Sequence, residues 1–178
     1  MRTAVATTAL IGAVASIPAS KFKGITEGPL QRAAEELWPP TEQEKQLVGT
    51  DPTDHLENMP PAVLADRVAR RLGRGPLDTA TKLRVQNVVH YTFGAMFGGV
   101  YGALAEAFPA ATTAAGTAAG AVLYAATHGT ALPLLRIQEP PWRLPRAAFA
   151  WELTSHLLFG VALELGRRSA SRVFAVRS

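Results

Sequence analysis

In the second of four apolar stretches, residues at intervals of four are His90, Gly94, Gly98, Gly102 and Glu106. On an α-helix this spacing brings all five residues onto one narrow stripe of the surface. The three glycines leave that stripe without side chains, so that a neighbouring helix can approach backbone to backbone, as helices do in lipid. In a water-exposed helix each glycine would instead cost about 1 kcal/mol relative to alanine. The stripe therefore predicts a helix that packs against another helix inside a membrane.

Four stretches of mainly apolar residues are predicted to cross the membrane as helices. They cover residues 3–19, 85–108, 111–135 and 147–166. The first has no charge and, at about 1.5 Å per residue, it reaches roughly 25 Å, which barely crosses the hydrocarbon layer. A secretory signal peptide is the alternative interpretation of that stretch. Between Arg84 and Arg136 the only charged residue is Glu106, whereas a helix of a water-soluble bundle normally has a charged face.

The predicted fold is therefore all-α. We expect an integral membrane bundle of four transmembrane helices that forms a single membrane domain over residues 1–178, with a polar, partly helical insertion between the first and second helices. The insertion covers residues 20–84, and a basic tail follows the last helix at residues 167–178. Because only a few residues separate the second and third stretches, these two helices are expected to be antiparallel neighbours.

Two weak helical patterns lie in the insertion, at residues 28–38 and 61–74. In the second pattern one side carries leucine and valine, and the other side carries mostly arginine. The residues are Leu64, Val68 and Leu72 on the first side and Arg67, Arg70, Arg71 and Arg74 on the second. A basic amphipathic helix beside a membrane can lie in the headgroup layer. The alternative is a solvated helix folded onto the bundle, and the pattern favours neither.

Small residues recur at intervals of four in the other apolar stretches as well. The first stretch contains Thr8, Gly12 and Ser16 on one stripe. Glycines recur in the third and fourth stretches, so that close helix packing is predicted throughout the bundle. The predicted packing positions are Gly94, Gly98, Gly102, Gly116, Gly120 and Gly160.

Four ionisable residues are predicted to lie in the half of the bilayer nearest the insertion. They are His90, His128, Glu152 and His156. Their depth follows from the alternating direction of the helices and a rise of about 1.5 Å per residue. Because ionisable groups are expensive in lipid, we expect all four to point into the bundle. The leading interpretation is a structural hydrogen-bond network between helices.

Three alternatives for this group stay open. Histidine and carboxylate side chains titrate near physiological pH when their surroundings shift them, which suits a proton-handling site. Three histidines and a carboxylate also match the ligands of zinc or iron, and two of the histidines suit haem. Near the opposite membrane face, interfacial ion pairs are predicted among Glu106, Glu164, Arg167 and Arg168.

The sequence contains no combination of residues typical of an enzyme. It has no cysteine, so it has no disulfide, thiolate metal ligand or cysteine nucleophile. A nucleophile with its base, a phosphate-binding glycine loop and a cofactor fingerprint are also missing from the pattern. We therefore predict no catalytic residues, no enzyme activity and no required metal or other cofactor. The net charge of +4 is small and forms no broad basic face, so no nucleic-acid partner is expected.

Three segments together resemble a known family. They are VVHYTFGAMFGGVYGALAEAFP, HGTALPLL and PPWRLPRAAFAWELTSHLLFGVALELGRR. Over residues 85–168 their order and spacing resemble the YagU-like bacterial inner-membrane proteins, a family of unknown function. The resemblance implies a multi-pass protein of the bacterial inner membrane, and part of that family is linked to acid tolerance. The positions that carry it are His90, Glu106, Phe108, Pro109, His128, Pro133, Leu144, Pro145, Glu152, His156, Glu164, Arg167 and Arg168.

These patterns lead to one functional hypothesis with two alternatives. We expect a small inner-membrane protein that acts as a non-catalytic accessory or scaffolding subunit, with the lipid bilayer and other membrane-protein subunits as partners. The first alternative is a proton- or ion-handling membrane protein of the acid-stress response, and the second is a metal- or haem-binding membrane protein. Orientation is open, because the lysines and arginines around the insertion favour a cytoplasmic insertion, whereas the family resemblance implies a cytoplasmic C-terminus.

Overall fold

The computed structural model describes residues 2–177, with side chains described for residues 3–173. Within those residues every regular element is helical and none is a strand, so the predicted all-α class is confirmed. The end of the predicted basic tail lies outside the described side chains. The helices are α1 Arg2–Leu37, α2 Glu42–Lys45, α3 Pro60–Arg71, α4 Thr79–Ala107, α5 Thr117–Ala126, α6 Leu132–Leu134 and α7 Arg146–Arg177.

The chain divides into two compact units. Unit 1 contains Met1–Thr26, Tyr91–Leu123 and Thr154–Ser178, and unit 2 contains Glu27–His90 and Tyr124–Leu153. Unit 1 therefore holds most of the glycine-rich helix surfaces, and unit 2 combines most of the predicted insertion with the connection that precedes α7.

In unit 1, α1 and α4 contact each other through their backbones. A Cβ atom added at Gly98 would overlap the carbonyl oxygen of Gly12, and one added at Gly102 would overlap that of Thr8. Gly94 faces the side chain of Ser20 in the same way. Each of these positions has space for hydrogen only, which is the physical reason for glycine at intervals of four.

The second close contact in unit 1 joins α7 to the region that begins α5. A Cβ atom at Gly120 would overlap the carbonyl oxygen of His156, and one at Gly160 would overlap that of Gly116. Beside these contacts lies a small apolar core. It consists of Ala15, Ala19, Tyr101, Ala119, Leu123, Phe159 and Leu163.

The third apolar stretch is helical over a shorter range than predicted. Residues 109–116 form a 3-10 turn rather than the beginning of an α-helix, because Ala114, Ala115 and Gly116 have φ values of 52°, 53° and 89°. A positive φ interrupts a right-handed helix. The helical run therefore begins at Thr117 and, including a π-helical turn at Thr127–Ala131, it ends at Leu134 after a rise of roughly 27 Å.

The first helix is longer than predicted. It continues without a break to Leu37, so that the pattern at residues 28–38 is the end of α1 and not a separate helix. Buried contacts in unit 2 hold this end, where Gln31 is buried and Ala34 packs with Ala147 and Trp151. The second amphipathic pattern does form a separate helix, α3.

Among the described residues, one helix is long and apolar enough to cross a membrane. It spans Thr3–Leu37, with a mean hydropathy of 1.5 over its best window. A core helix of a soluble protein and a signal sequence meet the same criterion. Hydropathy and length alone therefore do not identify the four spans that the sequence predicted.

The close α1–α4 contact predicts opposite effects for one substitution at two glycines. Gly98→Ala forces a methyl group into the backbone of α1 and is expected to destabilise the protein by about 1–3 kcal/mol. Gly24→Ala is the matched control, because nothing lies within 4 Å of its Cβ position, and it is expected to stabilise α1 by up to about 1 kcal/mol. Thermal unfolding of the purified protein in mild detergent measures both effects. Equal melting temperatures for the two variants would contradict the contact.

Candidate functional site

His128 lies in unit 2 on the π-helical turn that follows α5. A π turn is rare and occurs frequently at functional sites, because it widens the helix and changes the direction of one side chain. The His128 ring stacks on Tyr124, with ring centroids 5.3 Å apart and an angle of 9° between the planes. Tyr124 in turn contacts the edge of Phe149. The aromatic contacts hold the imidazole in one orientation.

His128, Gln138 and Glu152 form a closed group of polar side chains. The Gln138 amide Nε2 donates to Glu152 Oε1 at 2.7 Å, and Gln138 Oε1 lies 2.7 Å from His128 Nδ1. His128 Nδ1 is also 3.3 Å from Glu152 Oε2. Because an amide oxygen only accepts hydrogen bonds, this assignment places a proton on His128 Nδ1, which then donates towards both neighbours. Glu152 is 1% exposed, so its carboxylate depends on these two partners and on other groups of the protein.

The backbone of Gly49 closes one side of this group. Gly49 has a φ of +84°, and a Cβ atom there would lie 2.7 Å from Gln138 Nε2 and 3.1 Å from Glu152 Oε1. Only glycine combines this left-handed conformation with so close an approach. The turn that carries Gly49 is attached to α1 through Gln31, whose amide donates to Asp51 Oδ1 at 3.2 Å and accepts from the Thr53 hydroxyl at 2.6 Å.

An open groove of about 800 Å³ lies beside the group, between residues 46–48, the π turn and residues 133–143. Gln138 is part of its wall, so one amide contacts both the groove and the buried carboxylate. Trp142 is 77% exposed at the groove. Gln138 therefore lies between the groove and Glu152.

His128 and Glu152, which belong to the four ionisable residues that the sequence predicted to cluster, are in contact in unit 2. His90 is half-buried on α4 in unit 2, and His156 is buried on α7 in unit 1. In the part of the chain that the structure describes, no group of three or more histidine, aspartate or glutamate side chains converges on a position for a metal ion.

A second polar cluster surrounds Glu164 in unit 1. Glu164 is fully buried, and it accepts hydrogen bonds from the Tyr101 hydroxyl at 2.8 Å and from Arg167 Nε and Nη2 at 2.7 and 2.9 Å. Arg168 Nε donates to Glu164 Oε1, which also accepts from Arg167 Nη2. Two cations and a hydroxyl satisfy this carboxylate, as a buried charge requires.

Glu106, which the sequence placed among the ion pairs, is exposed near the end of α4. Within the described residues, the ion pairs of Arg167 and Arg168 are with Glu164 and not with Glu106.

Sequence reasoning missed Gln138, Gly49 and Tyr101. An uncharged amide in a proline-rich connection and a glycine in a polar turn look like ordinary loop residues. Tyr101 is a buried aromatic residue between two glycines of α4, and nothing in its position indicates that its hydroxyl contacts a carboxylate.

Comparison with known families identifies most of the chain. Residues 28–165 match the family described as Protein of unknown function (DUF1440). The chain belongs to this family. The DUF1440 match includes His128, Gln138, Glu152 and Glu164, and it ends before Arg167. No match was found among curated proteins or among solved structures. The DUF1440 description assigns no activity, and the finer YagU-like designation stays a prediction.

The Glu164 cluster predicts that substitution of this one carboxylate strongly lowers the stability of the protein. Glu164→Gln removes a buried negative charge and leaves two arginines without their partner, and it is expected to destabilise the protein by about 3 kcal/mol. Glu106→Gln is the matched control and should change the melting temperature little, because Glu106 is exposed. Unfolding temperature and the yield of monodisperse protein measure both. A Glu164→Gln variant as stable as the control would show that the cluster does not hold unit 1 together.

Proposed function

We propose that this DUF1440 protein is a multi-pass protein of the bacterial inner membrane that acts without catalysis, as an accessory or scaffolding subunit of a larger membrane assembly. The observation that carries the proposal is the distribution of side chains over the helices. Small residues occupy the helix contacts, and large apolar residues face outwards.

The outward position of large apolar residues is clearest on α1 and α4. Leu10 and Val14 on α1 are exposed, as are Val88, Met96 and Val100 on α4. In water, each exposed square ångström of such surface costs about 25 cal/mol, whereas lipid removes this cost. The interior of unit 1 contains glycine, alanine and serine at the corresponding contacts. This distribution of side chains is the one expected for helices that are surrounded by lipid hydrocarbon.

The lengths of the helices agree with four spans. A span needs about 20 residues, or roughly 30 Å. The 29 residues of α4 and the 32 residues of α7 exceed this length, and the run from Thr117 to Leu134 approaches it. The mean hydropathy of α7 is low partly because of Glu152 and Glu164, and both are buried in the structure. These two carboxylates therefore do not face the surroundings of α7.

The accessory role takes its support from the surface of unit 2. Leu134, Leu135 and Trp142 are exposed around the connection between α6 and α7, at the end of a predicted span where a neighbouring subunit has access. Aromatic residues such as tryptophan are enriched at protein interfaces and at membrane interfaces.

Four spans predict the side of the membrane on which each connection lies. Because the chain has no cysteine, single cysteines at Asp54, Ala110 and Glu139 can be labelled with a membrane-impermeant maleimide in intact and in broken cells. Asp54 and Glu139 are expected to react on one side and Ala110 on the other, while the protein resists extraction by alkaline carbonate. The cysteine-free parent is the control for background labelling. Release by carbonate, or labelling of all three on the same side, would refute the four-span arrangement.

The accessory role has its own test. Gentle purification of the full chain in mild detergent is expected to recover other membrane subunits in fixed proportion, and cross-linking in intact cells should give the same partners. A free monodisperse monomer in both experiments would eliminate this role and leave the membrane location untouched.

A second candidate function is proton handling at His128 and Glu152, and the buried contact between them favours it. Histidine is the side chain whose ordinary charge change falls between pH 5 and 8. On acidification a neutral histidine beside a carboxylate becomes a cation, which converts a hydrogen bond into an ion pair. The groups that face this pair in unit 2 are Gln138, Tyr124 and the backbone of Gly49. Because Gln138 lines the groove and also contacts Glu152, its side chain lies between the groove and this pair.

This candidate predicts a pH-dependent effect of His128→Gln. The variant keeps a hydrogen-bonding side chain but cannot become charged, so acid tolerance of the cells is expected to fall while the amount of folded protein stays at the parental level. His55→Gln is the control, because His55 is exposed and lies 3.5 Å from Glu57. Survival at acid pH and the membrane-bound protein level are measured together. If the amount of folded protein falls together with acid tolerance, the role of His128 is structural.

A further inference from the structure

Helix α3 packs with its small residues inwards and its large apolar residues outwards. Pro60, Ala62 and Ala69 are the buried positions of the helix, whereas Leu72 is 67% exposed. Leu64 and Val68 are exposed as well. Their spacing of four places Leu64, Val68 and Leu72 on one continuous stripe. A solvated helix folded onto a bundle would have the opposite arrangement, with the leucines buried.

The positive charges of α3 lie beside this exposed stripe. Arg71 and Arg74 are exposed, and Arg71 comes one helical turn after Val68 and two turns after Leu64, on the same side of the helix. The nearest carboxylate, Asp66, is mostly covered and accepts from Arg70 Nε and from the Leu77 backbone amide, both at 2.7 Å. The charge beside the apolar stripe is therefore positive.

Hydrogen bonds attach α3 to another part of unit 2. Arg67 donates to the carbonyl oxygens of Leu135 and Arg136 at 2.6 and 2.7 Å, which connects α3 to the end of the third predicted span. Leu134 and Trp142 are exposed in the same unit. A cation on the terminal carbonyls of a helix is electrostatically favourable.

We propose that α3 lies against an anionic phospholipid surface, with Leu64, Val68 and Leu72 at the boundary of headgroups and acyl chains and with Arg71 and Arg74 at the lipid phosphates. The inference rests on the proposed membrane location and adds the lipid class that this surface recognises. Basic amphipathic helices with leucine on the apolar face bind anionic bilayers in this way, and each arginine near such a surface adds to the attraction.

A fluorescent probe on α3 tests the contact in the full-length protein. The chain has no cysteine, so Val68→Cys and Asp54→Cys each provide a single site for an environment-sensitive fluorophore, and Asp54 is the exposed control. The protein is reconstituted into vesicles of phosphatidylcholine alone or with added phosphatidylglycerol. We expect the probe at position 68 to report an apolar environment and to be quenched by brominated lipids, more strongly with phosphatidylglycerol and less strongly at high salt. The probe at position 54 should stay in water.

A charge substitution separates lipid recognition from general burial. Arg71→Gln combined with Arg74→Gln is expected to shift the equilibrium away from the lipid-bound position about fivefold for each arginine removed. Arg32→Gln combined with Arg84→Gln is the matched control, since it removes the same charge from exposed positions elsewhere in unit 2, and it should leave the probe unchanged.

Other outcomes would overturn the proposal in distinguishable ways. Equal exposure to water at positions 68 and 54, in a protein that stays in the membrane, refutes the lipid contact and leaves the proposed function intact. A shielded probe that brominated lipids do not quench shows that protein covers the stripe, either a partner or a second copy. If the protein is recovered in the membrane-free fraction of lysed cells, the proposed function fails. The labelled protein can then be mixed with the same vesicles, and the probe at position 68 still tests whether α3 binds lipid.

Discussion

Contact between helix backbones is the constraint on which the rest of the structure depends. Gly98 and Gly102 admit the carbonyl oxygens of α1, and Gly120 admits that of α7, so there is no room at these contacts for a large side chain. Large apolar residues such as Leu10 and Met96 are therefore placed outside. In water this arrangement would leave apolar surface exposed at a cost, whereas in lipid the same packing gains from close contact of the backbones.

Glu164 and Glu152 are buried carboxylates with different kinds of partner. Glu164 is matched by Arg167 and Arg168, whose guanidinium groups stay charged. Glu152 instead lies beside the Gln138 amide and the His128 ring. The first cluster is thus suited to hold helices together, and the second contains the histidine on which the proposed proton handling rests.

Local patterns were predictable from the sequence, and long-range ones were not. The glycine stripe of α4 and the Glu164 pairs with Arg167 and Arg168 involve residues three or four apart, so helical periodicity reveals them. Gly49 contacts Glu152 from more than 100 residues away in the chain, and no local pattern encodes that contact. The late start of α5 depends on positive φ values at Ala114 and Ala115, which residue type does not indicate. Residue type likewise gives no indication of the π turn at Thr127–Ala131.

The amphipathic pattern of α3 had two interpretations, and the exposure of Leu64, Val68 and Leu72 is the observation from which the lipid contact is proposed. Because the inward face consists of alanine and proline, burial of that face contributes little, and polar contacts of Arg67 and Asp66 hold the helix instead. The hydrogen bond from Arg70, followed by that from the Leu77 amide, holds the pKa of Asp66 below its ordinary value. A lowered pKa contributes stability above the ordinary value for aspartate, and this contribution disappears only as the pH falls through the lower one. Mild acid therefore leaves the Asp66 contacts that hold α3 in place.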